Sequence, residues 1–335
     1  MKVAIHMLTP YPPSNPNRDE LGMPKTATVG GALRQRISSQ ALKRSWRTSD
    51  IFEQLDAKMS TRTRELGVKV KDRVMEKGGD ETLAVKVGRA IAEKFGKVDK
   101  KELSTSEVVI LGHEEWQAAM DIADACAEGK REPLDAELEL VQRQTTSIDV
   151  AMFVRMRAAM PSLNVDAAVS VAHALTTDKT IIESDFWTAV DDLNEMQGDA
   201  GAGGMGEREF GSGVYYSFAI VDSDKLIQNL GGNEVAATNA INALIEAMAT
   251  TSPGGHRSSF AHHTYASYLA IEHADRVAGN MMLPAFEKPV SGTLEAIQSL
   301  RSAMKAISEA YDITPIVSEM SLPEGAGSLK DCLVK

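Results

Sequence analysis

Between Glu20 and Asp50 the chain carries Lys25, Arg34, Arg36, Lys43, Arg44 and Arg47 and not one carboxylate. The protein as a whole has a formal charge of −11 at pH 7, so this run reverses the sign of its surroundings. A local reversal on an acidic background is the pattern of a docking surface for an anion. The order of residues adds detail. Gly30-Gly31 allows a turn at positive φ or a close backbone approach. Ser38 is placed to cap a helix, with Ile37 before it and Leu42 inside as a hydrophobic staple. Leu42 and Trp46 share one face of that helix, and Lys43 and Arg47 share another. A helix start preceded by Arg34 and Arg36 can bind phosphate. The same features also describe a capped surface helix with solvated cations, and both readings stand at this point.

Bulk properties narrow the class. With 43% hydrophobic and 25% charged residues, the chain has the composition of an ordinary soluble globular protein. The start MKVAIHMLTP lacks the form of a signal peptide, and no stretch is apolar for long enough to cross a bilayer. Cys126 and Cys332 form neither a disulfide framework nor a zinc motif, so a reducing cytoplasm is expected. Net acidity argues against indiscriminate nucleic-acid affinity, which needs widespread phosphate neutralisation.

Taken in order, residues 3–8 read as a buried strand, and Pro10, Pro12, Pro13 and Pro16 as a loop leading into the basic stretch. Residues 51–180 read as a mostly helical insertion, with 108–111 its clearest strand and the apolar spacing of 164–175 helical. Within it, Met152 to Met156 suits a core, whereas Arg155 and Arg157 are expected to reach an anion or a partner. The glycine-rich segment 199–213 reads either as a flexible hairpin tip or as a mobile arm closing over an extended ligand, with Met205 and Phe210 as apolar tips and Arg208 as its cation. The strand 214–221 follows it, then helices at 233–250 and 294–311 and a loop-rich tail. His256 and Arg257, beside Gly254, Gly255 and two serines, form a loop that can hold a phosphate. The seven histidines show no paired-ligand spacing, and neither a nucleophile elbow nor a Walker loop is present. No cofactor, metal site or catalytic set is expected.

The run N-R-D-x-x-G-x-P-K from Asn17, followed by G-G-x-x-R-x-R-I-S-S-Q-x-L-K-R-x-x-R from Gly30, resembles the start of the CasC family. Residues 162–168, 189–193, 199–213 and 285–290 agree in order, and the likeness is weakest over 51–132. CasC proteins are the guide-RNA-binding backbone subunit of the type I-E CRISPR Cascade complex. The resemblance implies an α+β fold with an RRM-like (ferredoxin-like) palm, a helical finger insertion and a β-hairpin thumb. The palm would take 1–50 and 181–335, the fingers 51–180, and the thumb about 195–215. It implies non-catalytic binding of crRNA, with contacts carried onto Arg18, Lys25, Ser38, Gln40, Lys43 and Arg47. Arg34, Arg36 and Arg44 join them on physical grounds, with Arg155, Met156, Met205, Arg208, Phe210, His256 and Arg257 as further RNA contacts. Implied partners are crRNA, the target DNA strand paired to it, further copies of the chain, and the small, large and guide-end-capping Cascade subunits; no membrane is implied. Two rivals follow from the residues: a phosphate-metabolite enzyme at the Ser38 helix start, and a structural filament subunit without nucleic acid; likeness to related type III subunits adds metal-dependent RNA cutting at Asp19 as a further alternative.

Overall fold

In the computed structural model, residues 1–55, 59–99, 101–141, 145–155, 161–189 and 204–335 are described. The chain is a mixed α/β protein built on an antiparallel sheet. Its elements run β1 (Lys2–Ser14), β2 (Thr26–Val29), β3 (Ala32–Ile37), α1 (Ser39–Arg47) and α2 (Asp50–Glu53), then β4 (Thr61–Thr63), α3 (Leu66–Glu76), α4 (Glu81–Glu93), β5 (Val109–Leu111), α5 (His113–Gly129), α6 (Asp135–Leu140) and α7 (Ile148–Phe153). There follow β6 (Val169–Val171), β7 (Ala174–Thr176), β8 (Glu183–Ala189), β9 (Gly204–Asp222), α8 (Ser223–Asn229), α9 (Glu234–Thr250), α10 (Arg257–Phe260), β10 (Tyr268–Ala274), α11 (Met282–Phe286), α12 (Thr293–Ala310) and β11 (Ile316–Ser321).

The chain divides into two compact units. The first takes 1–55, 170–223 and 238–335; the second takes 56–169 and 224–237. β7 pairs with both β3 and β9 and so belongs to the main sheet.

The first unit holds the large sheet, ordered β11-β10-β1-β9-β7-β3-β2, with β6 and β8 also paired to β9. Apolar residues at alternate positions of β1, β9 and β10, among them Leu8, Tyr216 and Ala270, meet Met282 and Phe286 of α11 and Ile297, Leu300 and Met304 of α12 in one core. Inside it His6 contacts Tyr216 Oη at 2.9 Å and Glu272 Oε2 at 3.2 Å, a structural place for a histidine. The second unit is mostly helical. Leu66, Val70 and Val74 of α3 pack with Val87 and Ile91 of α4 and with Ala119, Ile122 and Cys126 of α5. A β-carbon on Gly88 would lie 2.5 Å from the Gly67 carbonyl, so this glycine lets α3 and α4 meet backbone to backbone.

Three sequence expectations are corrected. The loop expected at Pro10–Pro16 is strand as far as Ser14. β1 leaves β10 after Leu8 and continues against β9, with a register shift between Tyr11 and Ser14. A strand open on one side and bulged tolerates proline, which lacks the ladder donor. The helix expected over 164–175 is two short strands: Leu175 pairs with Tyr216 and with Arg36, and the Ala172 amide donates to the Phe218 carbonyl at 2.9 Å. Ladder partners remote in sequence override local spacing here. The tail contains β11, in register with β10 from Ile316 to Ser321.

Candidate nucleic-acid interface

The basic stretch folds as a hairpin feeding a helix, all within the first unit. Gly30 and Gly31, at φ +57° and +74°, turn β2 into β3. A β-carbon on Gly30 would sit 1.7 Å from the Glu287 carbonyl oxygen, so the close approach foreseen for a ligand is made to the protein's own backbone.

α1 then presents three different stripes. Leu42 and Trp46 are buried and anchor it. Ser38 caps it, accepting from the Ala41 amide at 3.3 Å. The amide of Ser38 itself donates to Asn17 Oδ1 at 2.9 Å, and that of Ser39 to His173 Nδ1 at 3.1 Å. The helix start is thus largely satisfied from within, and the Ser38 hydroxyl is engaged as the cap. Anion binding must come from side chains.

A second stripe gathers those side chains. Arg36 contacts His173 Nδ1 at 3.3 Å. The His173 pKa is held below the usual histidine range by desolvation first, and then by the positive charges of Arg36, Lys25 and Lys43. Arg36 of β3 therefore touches this imidazole, and Lys25 before β2 and Lys43 of α1 lie near enough to act on it. Backbone bonds fix the arrangement, since the Arg36 amide donates to the Lys25 carbonyl at 2.7 Å and the Lys25 amide to that of Asn17 at 2.9 Å. Lys43 and Arg47 lie on adjoining turns, with Gln40 exposed beside them.

The third stripe, Ala41, Arg44, Ser45 and Thr48, lines an open groove of about 1500 Å³ whose other walls include Arg18 and Arg257. Arg18 Nη1 meets His256 Nε2 at 2.8 Å. Desolvation lowers the His256 pKa, helped by the nearby Arg18 and Arg208. Arg257 donates back to the Ser252 carbonyl and so braces its own loop. Asp19 Oδ1 accepts from the amides of Leu21 and Met23 at 2.9 and 3.0 Å, holding the turn that presents Arg18.

β8 and β9 pair as a hairpin, from Glu183 opposite Phe210 to Ala189 opposite Gly204. Residues 190–203, which include much of the expected thumb, lie outside the described residues. Alternation along β9 separates the three expected contacts. Arg208 and Phe210 share one face, where Arg208 stacks over Trp187 at 5.4 Å and donates to Ser259 Oγ at 3.1 Å, and Phe210 meets Phe260 with ring centroids 5.8 Å apart. Met205 is on the opposite face and 65% exposed.

Two expected contacts are contradicted. Arg34 is fully buried, and its guanidinium donates to the Thr176, Thr177, Phe286 and Glu287 carbonyls. Arg155, in the second unit, is also fully buried and pairs with Glu115 Oε2 at 2.8 Å and with the Leu163 carbonyl. Both are internal struts, held by buried carbonyls and, for Arg155, by a carboxylate as well, although the Arg34 Nε finds no acceptor. Met156 and Arg157 lie outside the described residues. Sequence reasoning missed His173, Trp187 and Phe260. His173 was legible only as a histidine without a metal partner.

Residues 3–331 match the family described as CT1975-like protein. A chain of a "CRISPR RNA-guided surveillance complex, pre-nicking" superposes with a TM-score of 0.84 and 31% identity, over 99% of this chain and 95% of that one. A chain of another "CRISPR RNA-guided surveillance complex" gives 0.75 and 26%, over 99% and 94%. No curated protein matches the sequence. The CasC-like resemblance of the basic stretch thus extends over nearly the whole length, and the chain belongs to the CT1975-like protein family.

Proposed function

We propose that this chain is a non-catalytic crRNA-binding backbone subunit of a CRISPR surveillance complex of the type I-E kind, working in the cytoplasm. The observation that carries the reading is the convergence of Lys25, Arg36 and Lys43 around His173 on one side of α1. Clustered cations on an acidic protein suit a phosphodiester chain, and their side-chain chemistry reads backbone rather than base. Likeness to chains of RNA-guided surveillance complexes supports the same ligand. In this reading the large sheet serves as an RRM-like palm, the second unit as fingers and the β8–β9 hairpin as a thumb. Copies assemble head to tail along one guide, a heterologous contact that generates an open filament. Sequence recognition of the target DNA strand is left to base pairing with the guide. The other Cascade subunits complete the complex.

The test is binding to labelled single-stranded guide RNA of graded length, comparing wild type with Lys43→Glu/Arg47→Glu. Stepwise assembly whose stoichiometry grows with RNA length, lost in the double variant, is the expected result. A wild-type protein that ignores RNA at low salt, even with the other subunits of its complex present, would sink the reading.

A further inference from the structure

His173 holds a position in the cationic patch that the ligand reading above leaves unused. Its Nδ1 faces two donors, the Ser39 backbone amide at 3.1 Å and the Arg36 guanidinium at 3.3 Å. A backbone amide and a guanidinium can only donate, so this nitrogen must carry a lone pair. The proton of the neutral ring is therefore confined to Nε2. A second-sphere partner that fixes one nitrogen fixes what the other can do. The ring stands exposed at the end of the short link between β6 and β7, and Lys25, Arg36 and Lys43 act on it electrostatically. An anion drawn to those cations therefore meets an N–H of fixed tautomer.

We infer that His173 is an RNA-contacting residue, in which the neutral imidazole Nε2–H donates to an oxygen of the guide's sugar–phosphate backbone. The inference rests on the proposed RNA-binding function and adds a residue to that site. A neutral donor differs from its cationic neighbours in what it can read. Lysine and arginine favour phosphate oxygens, whereas an uncharged N–H serves a phosphate oxygen or a ribose 2′-hydroxyl equally well. With its pKa held below the ordinary histidine value, the ring is neutral at both pH 7 and pH 8, and its contribution is the same at the two.

The experiment uses the full chain with a labelled single-stranded RNA and the DNA of the same sequence, at pH 7 and pH 8. Two substitutions divide the roles of the ring. His173→Asn keeps an acceptor near the Nδ1 position for the Ser39 amide and removes the outer donor. His173→Gln keeps a donor near the Nε2 position and removes the inner acceptor. The expected result is that His173→Asn binds RNA about tenfold more weakly at both pH values with an unchanged melting temperature. His173→Gln should bind more nearly as wild type does, with a lower melting temperature. Imidazole ¹⁵N spectra should show one Nε2–H tautomer whose proton shifts when RNA is added. A larger Asn effect on RNA than on DNA assigns the acceptor to the 2′-hydroxyl, and equal effects assign it to phosphate. If His173→Asn binds as wild type does, or its defect vanishes at pH 8, the inference is overturned while the RNA-binding function stands. If wild type binds no RNA, the function falls and takes the inference with it.

Discussion

Arg34 and Arg36 stand two residues apart on the same face of β3, and only one of them can meet a ligand. Around Arg34 the protein supplies four backbone carbonyls from residues 176–177 and 286–287, and the side chain is fully buried. Around Arg36 it supplies an imidazole and two further cations, and the side chain stays half-exposed. Identical chemistry thus becomes a strut in one place and an anion contact in the next. What decides is the local balance of acceptors: a guanidinium given buried carbonyls is internal structure, and one left half-exposed beside like charge is open to an anion.

That contrast can be broken by substitution. Arg34→Ala leaves buried carbonyls unsatisfied and opens a cavity, so a loss of about 3–5 kcal/mol is expected in equilibrium denaturation. Arg36→Ala should cost within about 0.5 kcal/mol in the same assay while weakening RNA binding. Equal stability losses from the two would abolish the distinction. The two turn glycines offer a smaller version of the same test. Gly30→Ala and Gly31→Ala both force alanine to positive φ, worth about 1 kcal/mol. Only the first also drives a β-carbon into the Glu287 carbonyl, since nothing lies within 4 Å of the second. The Gly30 variant should therefore melt distinctly lower than the Gly31 variant, and matching melting temperatures would show that the hairpin shifts freely.

The smallest expected effect concerns acid. His173, His256 and His262 all have pKa values held below the usual histidine range, with desolvation the leading cause for each. The unfolded chain then binds more protons than the folded one as pH falls through the ordinary histidine range near 6.5. Stability should accordingly decline on acidification from pH 7 toward pH 5. His256→Asn, which keeps a side-chain oxygen near Arg18, should flatten that decline, and an unchanged slope would remove His256 from it.

How much of this was legible beforehand varies with the range of the interactions. The cap at Ser38, the Leu42–Trp46 face of α1 and the apolar stripes of α9 and α12 show in spacing over a few residues, and local pattern sufficed to read them. β6, β7 and β11 depend on partners far along the chain, and 164–175 shows helical spacing that those partners overrule. Arg34 and Arg155 were misplaced for the same reason, since neither the carbonyls around residues 176 and 286 nor Glu115 leaves a mark beside them in the sequence. On the hairpin, alternation alone separates Met205 from Arg208 and Phe210, but only once the strand register is known. His173 was the largest omission, because its meaning comes from the cations that surround it.

The central claim is that the patch around His173 is a phosphodiester track. Its most direct test is the salt dependence of guide-RNA binding for wild type and for Lys25→Ala/Arg36→Ala. If both cations neutralise phosphates, the slope of log K against log salt should become shallower by about 1.4 in the double variant, with affinity reduced across unrelated RNA sequences alike. An unchanged slope at wild-type affinity would contradict the account and move the guide to another face of the molecule.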